Sequence, residues 1–256
     1  MVEVGDADPV LLRYDGAVAV VSFNRPDRHN AANDAMDEAF FAILEQLHTD
    51  DAVRAIVLRG EGPSFSSGRD ITELGARPDG VSDFEFIERG HAKTRLLLTV
   101  PAPIVVALKG WVIGGSFERA LLCDLRIAAE DARFRLPEVM YGVIPDSAGV
   151  ARLFQMAGHG IASDLVLTGR TIGAAEALSH GIVSRVVPIE ELDDVVMEVA
   201  HGIAEMPRMA VKMARSTIAS LGHGQVLRTL NEELLGQTAV MASPEYRQLR
   251  DARLSS

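Results

Sequence analysis

The chain has very little cysteine: Cys123 is the single one among 256 residues, so no internal disulfide can form. It also lacks any run of 18 or more apolar residues, and its first residues show no charged segment followed by an apolar one. We therefore expect neither a membrane span nor a signal peptide. A lone cysteine suits a reducing compartment, which favours a cytoplasmic protein.

Positive charge is scarce as well. Lysine and arginine number 25 against 36 aspartates and glutamates, which gives a formal net charge of -11. Because a general nucleic-acid surface needs clustered lysine and arginine, we expect no nucleic-acid partner. A local basic rim can still receive an anionic ligand, and Arg25 and Arg28 are candidates for one, with solvated loop arginines as the alternative.

Motifs of several other enzyme classes are missing. No phosphate-binding glycine loop and no complete G-x-G-x-x-G occurs. The seven histidines lack metal-ligand spacing, so no metal site is expected. The stretch Gly114-Gly115-Ser116-Phe117-Glu118 has a glutamate where a serine-hydrolase elbow needs its last glycine, which argues against that class.

Hydrophobic periodicity predicts strands that alternate with helices, followed by helices alone, and hence α/β structure with a helical C-terminal region. Alternation around Asp15-Gly16 predicts a hairpin, and Ser82 with Glu85 predicts a capping box. Residues 75–81 lack periodicity and predict a loop beside the site. The predicted core covers 1–188 and the helical region covers 189–256.

Two identical tripeptides predict helix breaks. Gly158-His159-Gly160 is expected to separate helices at 147–157 and 161–167, and Gly222-His223-Gly224 is expected to separate helices at 209–221 and 226–241.

The stretch 114–118 lies between the apolar runs 104–108 and 120–122. A strand that turns through paired glycines into a helix leaves unpaired N–H groups at the helix start, and these suit a developing negative charge. Residues 65–70 take a second apolar strand through Gly68 in the same way. Together with the carboxylates of Glu118 and Glu138, the two turns suggest an oxyanion site with acid–base groups beside it.

These motifs form part of an ordered set that covers nearly the whole chain. The segments are NRP at 24–26, FSSGRDI at 65–71, IVVALKG at 104–110, GGSFE at 114–118, CDLRIA at 123–128, FRLPE at 134–138, GVIP at 142–145 and AAEA at 174–177. In this order they resemble the crotonase family, also called the enoyl-CoA hydratase/isomerase superfamily.

The resemblance implies a core of ββα units wound into a right-handed spiral and a helical C-terminal region that packs subunits into homotrimers, often paired as hexamers. It also implies an enzyme acting on acyl-CoA thioesters. Coenzyme A then enters as part of the substrate, and no further cofactor is expected.

The resemblance also assigns roles to the site residues. The oxyanion hole is implied at the backbone amides of Arg69 and Gly115, with Glu118 acting on water and Glu138 on the α-carbon proton. The two glutamates lie 20 residues apart, as in hydratases of the family. An enoyl-CoA hydratase adding water syn to a 2-trans double bond is therefore expected.

Asp146 leaves an alternative open. Dienoyl-CoA isomerases of the family carry an aspartate at the matching position, so Asp146 with Glu138 could move a double bond instead. Asp146 is equally suited to cap the following helix. A non-catalytic acyl-CoA-binding homologue is a third hypothesis, and the intact Glu118–Glu138 pair argues against it.

The remaining candidates are substrate contacts. The resemblance implies contacts to coenzyme A or the acyl group from Arg28, Ser66, Ser67, Gly68, Asp70, Ile71 and Gly114. Trp111 and Tyr141, with Phe117 and Met140, are candidates for the acyl pocket, and ordinary core packing is the alternative. The family usually has a small residue at the position of Arg69, so the direction of its side chain is left open.

Overall fold

The computed structural model describes residues 7–72 and 80–254, so most of the predicted loop at 75–81 lies outside the described residues. Within these described ranges, nine strands form two sheets. They are β1 (Val10–Asp15), β2 (Val18–Phe23), β3 (Ala55–Gly60), β4 (Ile104–Leu108), β5 (Trp111–Ile113), β6 (Leu125–Ala129), β7 (Arg133–Arg135), β8 (Ile172–Gly173) and β9 (Arg185–Val187).

The larger sheet has the strand order β1-β2-β3-β4-β6-β9. β1 and β2 pair antiparallel across the turn at Gly16, which confirms the predicted hairpin, and every following pair is parallel. The inner strands are buried on both faces, as parallel strands covered by helices must be.

The smaller sheet brings the two glycine turns together. β5 pairs parallel with β7, and β7 pairs antiparallel with β8. An isolated bridge joins Ser66 to Val112 of β5, and a second joins Ala32 to Arg69. The segment that carries Gly68 therefore runs beside the strand that leads into Gly114.

Eight α-helices in the described part of the chain cover the sheets. They are α1 (Asp34–Thr49), α2 (Asp83–Thr99), α3 (Gly115–Leu122), α4 (Gly149–Thr168), α5 (Ala174–Ser179), α6 (Leu192–Glu205), α7 (Arg208–Met241) and α8 (Pro244–Leu254). Asn33 caps α1 by accepting the Met36 N–H. Ser82 and Glu85 form the predicted capping box at the start of α2.

The two identical tripeptides behave differently. Gly158 has φ +78° and ψ 174°, which interrupts the helical backbone inside α4 and confirms the first predicted break. The second prediction is wrong, because α7 continues from Arg208 to Met241 without interruption. At Gly222 an added Cβ would lie 2.8 Å from Arg152 Nη1 and 3.0 Å from Gln155 Oε1. That glycine allows close packing of α7 on α4.

The helices after residue 188 have different surroundings. α6 buries Leu192, Val196 and Ala200 against the sheet, whereas α7 packs along α2 and α4. α8 was not predicted. The boundary after residue 188 stays a prediction. Within the described chain, no helix has the length and apolar content that crossing a membrane requires.

Candidate active site

The first glycine turn connects β5 to α3. Gly114 has φ +59° and ψ -138°, a conformation that side-chain-bearing residues avoid, and its N–H donates to Arg135 O at 2.9 Å. Gly115 is the first residue of α3, so its N–H has no acceptor within the helix. No acceptor for this amide is found elsewhere in residues 7–72 and 80–254.

The second glycine turn lies against the first. Ser66 N donates to Trp111 O at 2.9 Å, and Ile113 N donates to Ser66 O at 3.1 Å. Gly68 has φ +87°, and a Cβ there would lie 2.8 Å from Ile113 O, so this close approach requires glycine.

Arg69 follows Gly68 in this turn. The neighbouring Ala32 pairs with Gly68 O and with the Asp70 amide, and the Arg69 amide has no acceptor among the described residues. The buried hydroxyls of Ser66 and Ser116 also lie 2.7 Å apart, which joins the two turns directly. Two unpaired amides on adjoining turns are the arrangement that an oxyanion requires.

A cavity of about 350 Å³ opens beside these turns. Its walls come from α1, α2, α3, α7 and the segment between β7 and α4. Among its lining residues are Arg69, Gly115, Glu118, Glu138, Asp146, His91, Arg119, Gln237 and Met241. The structure thus brings both predicted amide positions and all three predicted acids to one cavity.

Glu118 lies on the first turn of α3 and is 1% exposed. Its Oε1 accepts the amide N–H groups of Ser147, at 3.2 Å, and Gly149, at 3.0 Å. Burial raises the pKa of Glu118 well above its ordinary value, and the charges of Glu233, Glu138 and Asp146 raise it further. The two amide donors hold the Glu118 carboxyl group in place beside the cavity, and its raised pKa makes it a stronger base than a free glutamate.

Glu138 begins a 3₁₀ turn, Glu138–Tyr141, directly after Pro137. Its Oε1 lies 2.8 Å from where a Cβ of Gly114 would stand, so a side chain at 114 would displace this carboxyl group. Its Oε2 is buried and has no hydrogen-bond partner among the described residues. Burial raises the pKa of Glu138 to about 7, and the nearby Asp146 contributes to the rise.

Asp146 does not cap α4. The residue before that helix is Ala148, with φ +64° and no side-chain cap, whereas the Asp146 carboxylate bonds to the side chain of Gln237 on α7. The capping alternative is therefore wrong. Burial raises the pKa of Asp146 to about 6. Its carbonyl oxygen lies 2.6 Å from His91 Nε2, which must donate to it.

The side chain of Arg69 points to α1. It forms ion pairs with Asp34 and with Asp37, the second at 3.3 Å. Asp37 also accepts from Arg119 Nη2 at 2.8 Å, one turn beyond Gly115 on α3. Asp37 therefore connects the two elements that carry the unpaired amides.

Other predicted contacts lie outside the cavity lining. Ser66 and Gly68 are buried in the glycine turn beneath it, and Ser67 is half-buried. Arg28 and Ile71 are exposed, and Asp70 pairs with Arg25 at 3.4 Å. Four candidates for the acyl pocket also lie outside this lining: Trp111 and Met140 are exposed, Phe117 is in the core, and Tyr141 packs beside Val143 and Tyr246. Their contact with an acyl group stays a prediction.

The sequence reasoning missed His91, Glu233 and Gln237. Glu233 and Gln237 occupy the buried face of α7 together with Val226, Leu230 and Met241. Polar residues at otherwise apolar positions of a periodic helix were the available signal. His91 carries the same signal on α2, because it lies on the buried face of that helix with Ile87 and Leu98.

Comparisons with known proteins agree with this geometry. A family model described as enoyl-CoA hydratase/isomerase matches residues 13–244. The short-chain-enoyl-CoA hydratase of Clostridium acetobutylicum is 36% identical over 210 residues, which cover 82% of this chain and 80% of that protein. The mitochondrial enoyl-CoA hydratase of Pongo abelii is 32% identical over 206 residues, covering 80% and 69%.

Solved structures show the same fold. The enoyl-CoA hydratase/isomerase from Pseudoalteromonas atlantica T6c superposes with a TM-score of 0.85 at 28% identity, over 96% of this chain and 97% of that one. The enoyl-CoA hydratase from Mycobacterium avium subsp. paratuberculosis K-10 superposes with a TM-score of 0.87 at 25% identity, over 98% and 100%. The predicted fold class is confirmed, and the chain belongs to the enoyl-CoA hydratase/isomerase family, with its crotonase fold.

Proposed function

We propose that this protein is an enoyl-CoA hydratase that adds water to 2-trans-enoyl-CoA thioesters. The observation that carries the proposal is the meeting of Glu118 and Glu138 on one cavity beside the unpaired amides of Arg69 and Gly115. Relatives that carry the name enoyl-CoA hydratase support the same activity.

The amides of Arg69 and Gly115 bind the thioester oxygen. As water adds to the β-carbon, negative charge moves onto this oxygen and the substrate becomes an enolate. Two fixed N–H donors stabilise that charge without reorganising, and loss of one such donor typically costs about 3–4 kcal/mol of barrier.

The two glutamates move the protons. Glu118 accepts a proton from water while the water oxygen bonds to the β-carbon, and Glu138 gives a proton to the α-carbon as the enolate collapses. Because Glu138 has a pKa of about 7, it holds a proton in much of the protein near neutral pH. Both acids act from one side of the planar enoyl group, so addition is syn.

The coenzyme A part of the substrate then lies over the exposed side of the second glycine turn. We expect contacts to it from Arg28, Ser67, Asp70 and Ile71, which are exposed or half-buried on that side. No cofactor beyond the substrate's own coenzyme A enters this mechanism.

A second candidate function, a dienoyl-CoA isomerase, is favoured by one observation. Asp146 lines the cavity and has a raised pKa of about 6, although it is not needed as a helix cap. A third acid in this position could carry a proton between distant carbons of a conjugated acyl chain.

One assay set separates the two activities. The protein is incubated with crotonyl-CoA, a longer 2-enoyl-CoA and a 3,5-dienoyl-CoA, and the loss or shift of conjugated absorbance is followed with product analysis. A hydratase forms 3-hydroxyacyl-CoA and keeps its rate in Asp146→Ala, whereas an isomerase loses it. Glu138→Gln should lower either rate about 10²–10⁴-fold. Full activity of that variant would remove Glu138 from the mechanism.

A further inference from the structure

Glu233 is a buried acid that the proposed reaction does not use. It lies on α7, is 6% exposed, and has the apolar Leu230 and the polar Gln237 on the same helix face. Its Oε2 accepts the Ala148 N–H at 2.8 Å. Its Oε1 is buried and has no partner in the part of the chain that the structure describes.

The contact to Ala148 places Glu233 in the same turn as Glu118. Three consecutive amides, those of Ser147, Ala148 and Gly149, donate to the two carboxyl groups: the outer two to Glu118 and the middle one to Glu233. Ala148 has φ +64°, and such a left-handed residue makes successive N–H groups converge on an anion. The turn also forms the start of α4, and the dipole of the part of that helix before the interruption at Gly158 favours negative charge there.

The groups around Glu233 are acidic. Glu118 faces it from α3 and Asp146 faces it from the segment before α4, while Glu138 acts on Glu118 from the other side of the cavity. Burial raises the pKa of Glu233 to about 8, and the charge of Asp146 adds to the rise. Several carboxyl groups in one dry site cannot all ionise. At least one of the acids beside this turn therefore stays protonated.

The hydrogen bonds indicate which acid carries the charge. Glu118 Oε1 has two amide donors, whereas Glu233 has one donor on Oε2 and none on Oε1. A buried charged oxygen without a donor costs far more than the neutral acid in the same place. The negative charge is therefore more stable on Glu118.

We propose, resting on the hydratase function above, that Glu233 is a positioning residue that works in its protonated form. Its carbonyl oxygen accepts the Ala148 N–H and so orients the Ser147 and Gly149 amides toward Glu118. Its neutrality leaves the single negative charge of the turn on Glu118, which needs that charge to take a proton from water.

Glu233→Gln tests the neutral form, because the amide keeps the carbonyl acceptor and cannot ionise. The variant should hydrate crotonyl-CoA with a kcat within about threefold of wild type at pH 7. Glu233→Ala leaves the Ala148 N–H unpaired and should lower kcat at least tenfold, with little change in KM. The matched control is Glu232→Gln, which changes the exposed neighbour.

A second readout does not depend on activity. The pH dependence of the unfolding free energy between pH 6 and 7 counts the protons that the folded protein retains. Glu233→Gln should retain about one proton fewer than wild type and should lose infrared absorption of a protonated carboxyl group, whereas Glu232→Gln should change neither.

Two results would overturn the proposal. One is a Glu233→Gln variant as inactive as Glu118→Gln, which would mean that Glu233 works as a carboxylate. The other is an unchanged proton count, which would mean that Glu233 is already ionised. If wild type fails to hydrate any enoyl-CoA, the hydratase proposal fails, and the proton count still decides the state of Glu233.

Discussion

At the scale of single residues, Gly114 shows how the backbone and the acids depend on each other. Its φ of +59° sets the turn from β5 into α3, and its missing side chain leaves the space that Glu138 Oε1 occupies. One position thus places both the Gly115 amide and the second acid. The same dependence links Gly149 to Glu118, because a Cβ at 149 would lie 2.4 Å from Glu118 Cβ.

We predict that Gly114→Ala disables the enzyme. The new Cβ would clash with Glu138 and strain the turn, at a backbone cost of about 1–3 kcal/mol. The rate with crotonyl-CoA should fall at least 10²-fold, and the unfolding midpoint should also fall. Gly202→Ala on α6 is the matched control, since a Cβ there meets nothing within 4 Å. A Gly114→Ala variant with the wild-type rate would contradict this account of the turn.

Residue patterns predicted much of this site. What they could not predict are contacts between residues far apart in the sequence. The glycine turns and the acids at 118 and 138 could be found because their chemistry restricts residue type locally. The capping alternative for Asp146 was wrong because its outcome depends on Gln237, about 90 residues later in the chain. Such long-range partners leave no trace in the local pattern.

At the scale of elements, α7 contributes to the site as well as to the helical C-terminal region. Glu233 and Gln237 lie one turn apart on its buried face. Gln237 Oε1 accepts the Ile144 N–H at 3.0 Å, and Glu233 accepts the Ala148 N–H. The helix therefore stabilises the segment 144–148, which contains Asp146 and contacts Glu118.

The two Gly-His-Gly tripeptides explain why the length of α7 was mispredicted. Local propensity predicts a helix break at both tripeptides, but only Gly158 adopts a non-helical conformation. Gly222 stays helical, and the side chains of Arg152 and Gln155 on α4 lie against it. Tertiary packing decides between the two outcomes, and a window of local sequence does not contain that information.

The packing of α7 predicts unequal effects of two alanine substitutions in this helix. Gly224→Ala should stabilise the protein by about 0.5–1 kcal/mol, because alanine favours a continuous helix and a Cβ there meets nothing within 4 Å. Gly222→Ala should stabilise the protein less than Gly224→Ala, because the side chains of Arg152 and Gln155 on α4 must move to make room for its Cβ. Urea unfolding of both variants measures the effect. Destabilisation by Gly224→Ala would indicate a break in the helix at this point.

At the scale of the whole molecule, the buried acids make stability depend on pH. Folding raises the pKa of Glu138 to about 7 and of Glu233 to about 8, so the folded chain binds more protons than the unfolded chain above about pH 4.5. The unfolding free energy should therefore fall as pH rises from about 4.5 to 8, by an order of a few kcal/mol, and then level off.

Thermal unfolding across this range measures the effect, with Tm expected to fall as pH rises. Glu138→Gln removes one of the retained protons and should flatten the curve, most clearly between pH 4.5 and 7. Glu232→Gln, at an exposed position, should leave its slope unchanged. A Tm that rises steadily with pH over this interval would show that these acids are ionised in the folded protein.

The exposed surface of α7 is a candidate interface between subunits. The homotrimer, or a pair of trimers, stays a prediction. Large apolar side chains are exposed along α7, including Ile218 at 70% and Leu221 at 86%.

In a monomer, Leu221→Lys would leave the unfolding free energy nearly unchanged, because substitutions at exposed positions usually change it by no more than about 0.5 kcal/mol. In a trimer that buries this face, the same change places a charge in the interface and should lower the mass measured by light scattering. Leu167→Lys on α4 is the control for an exposed leucine elsewhere. A wild-type mass that Leu221→Lys leaves unchanged would exclude this face from the interface.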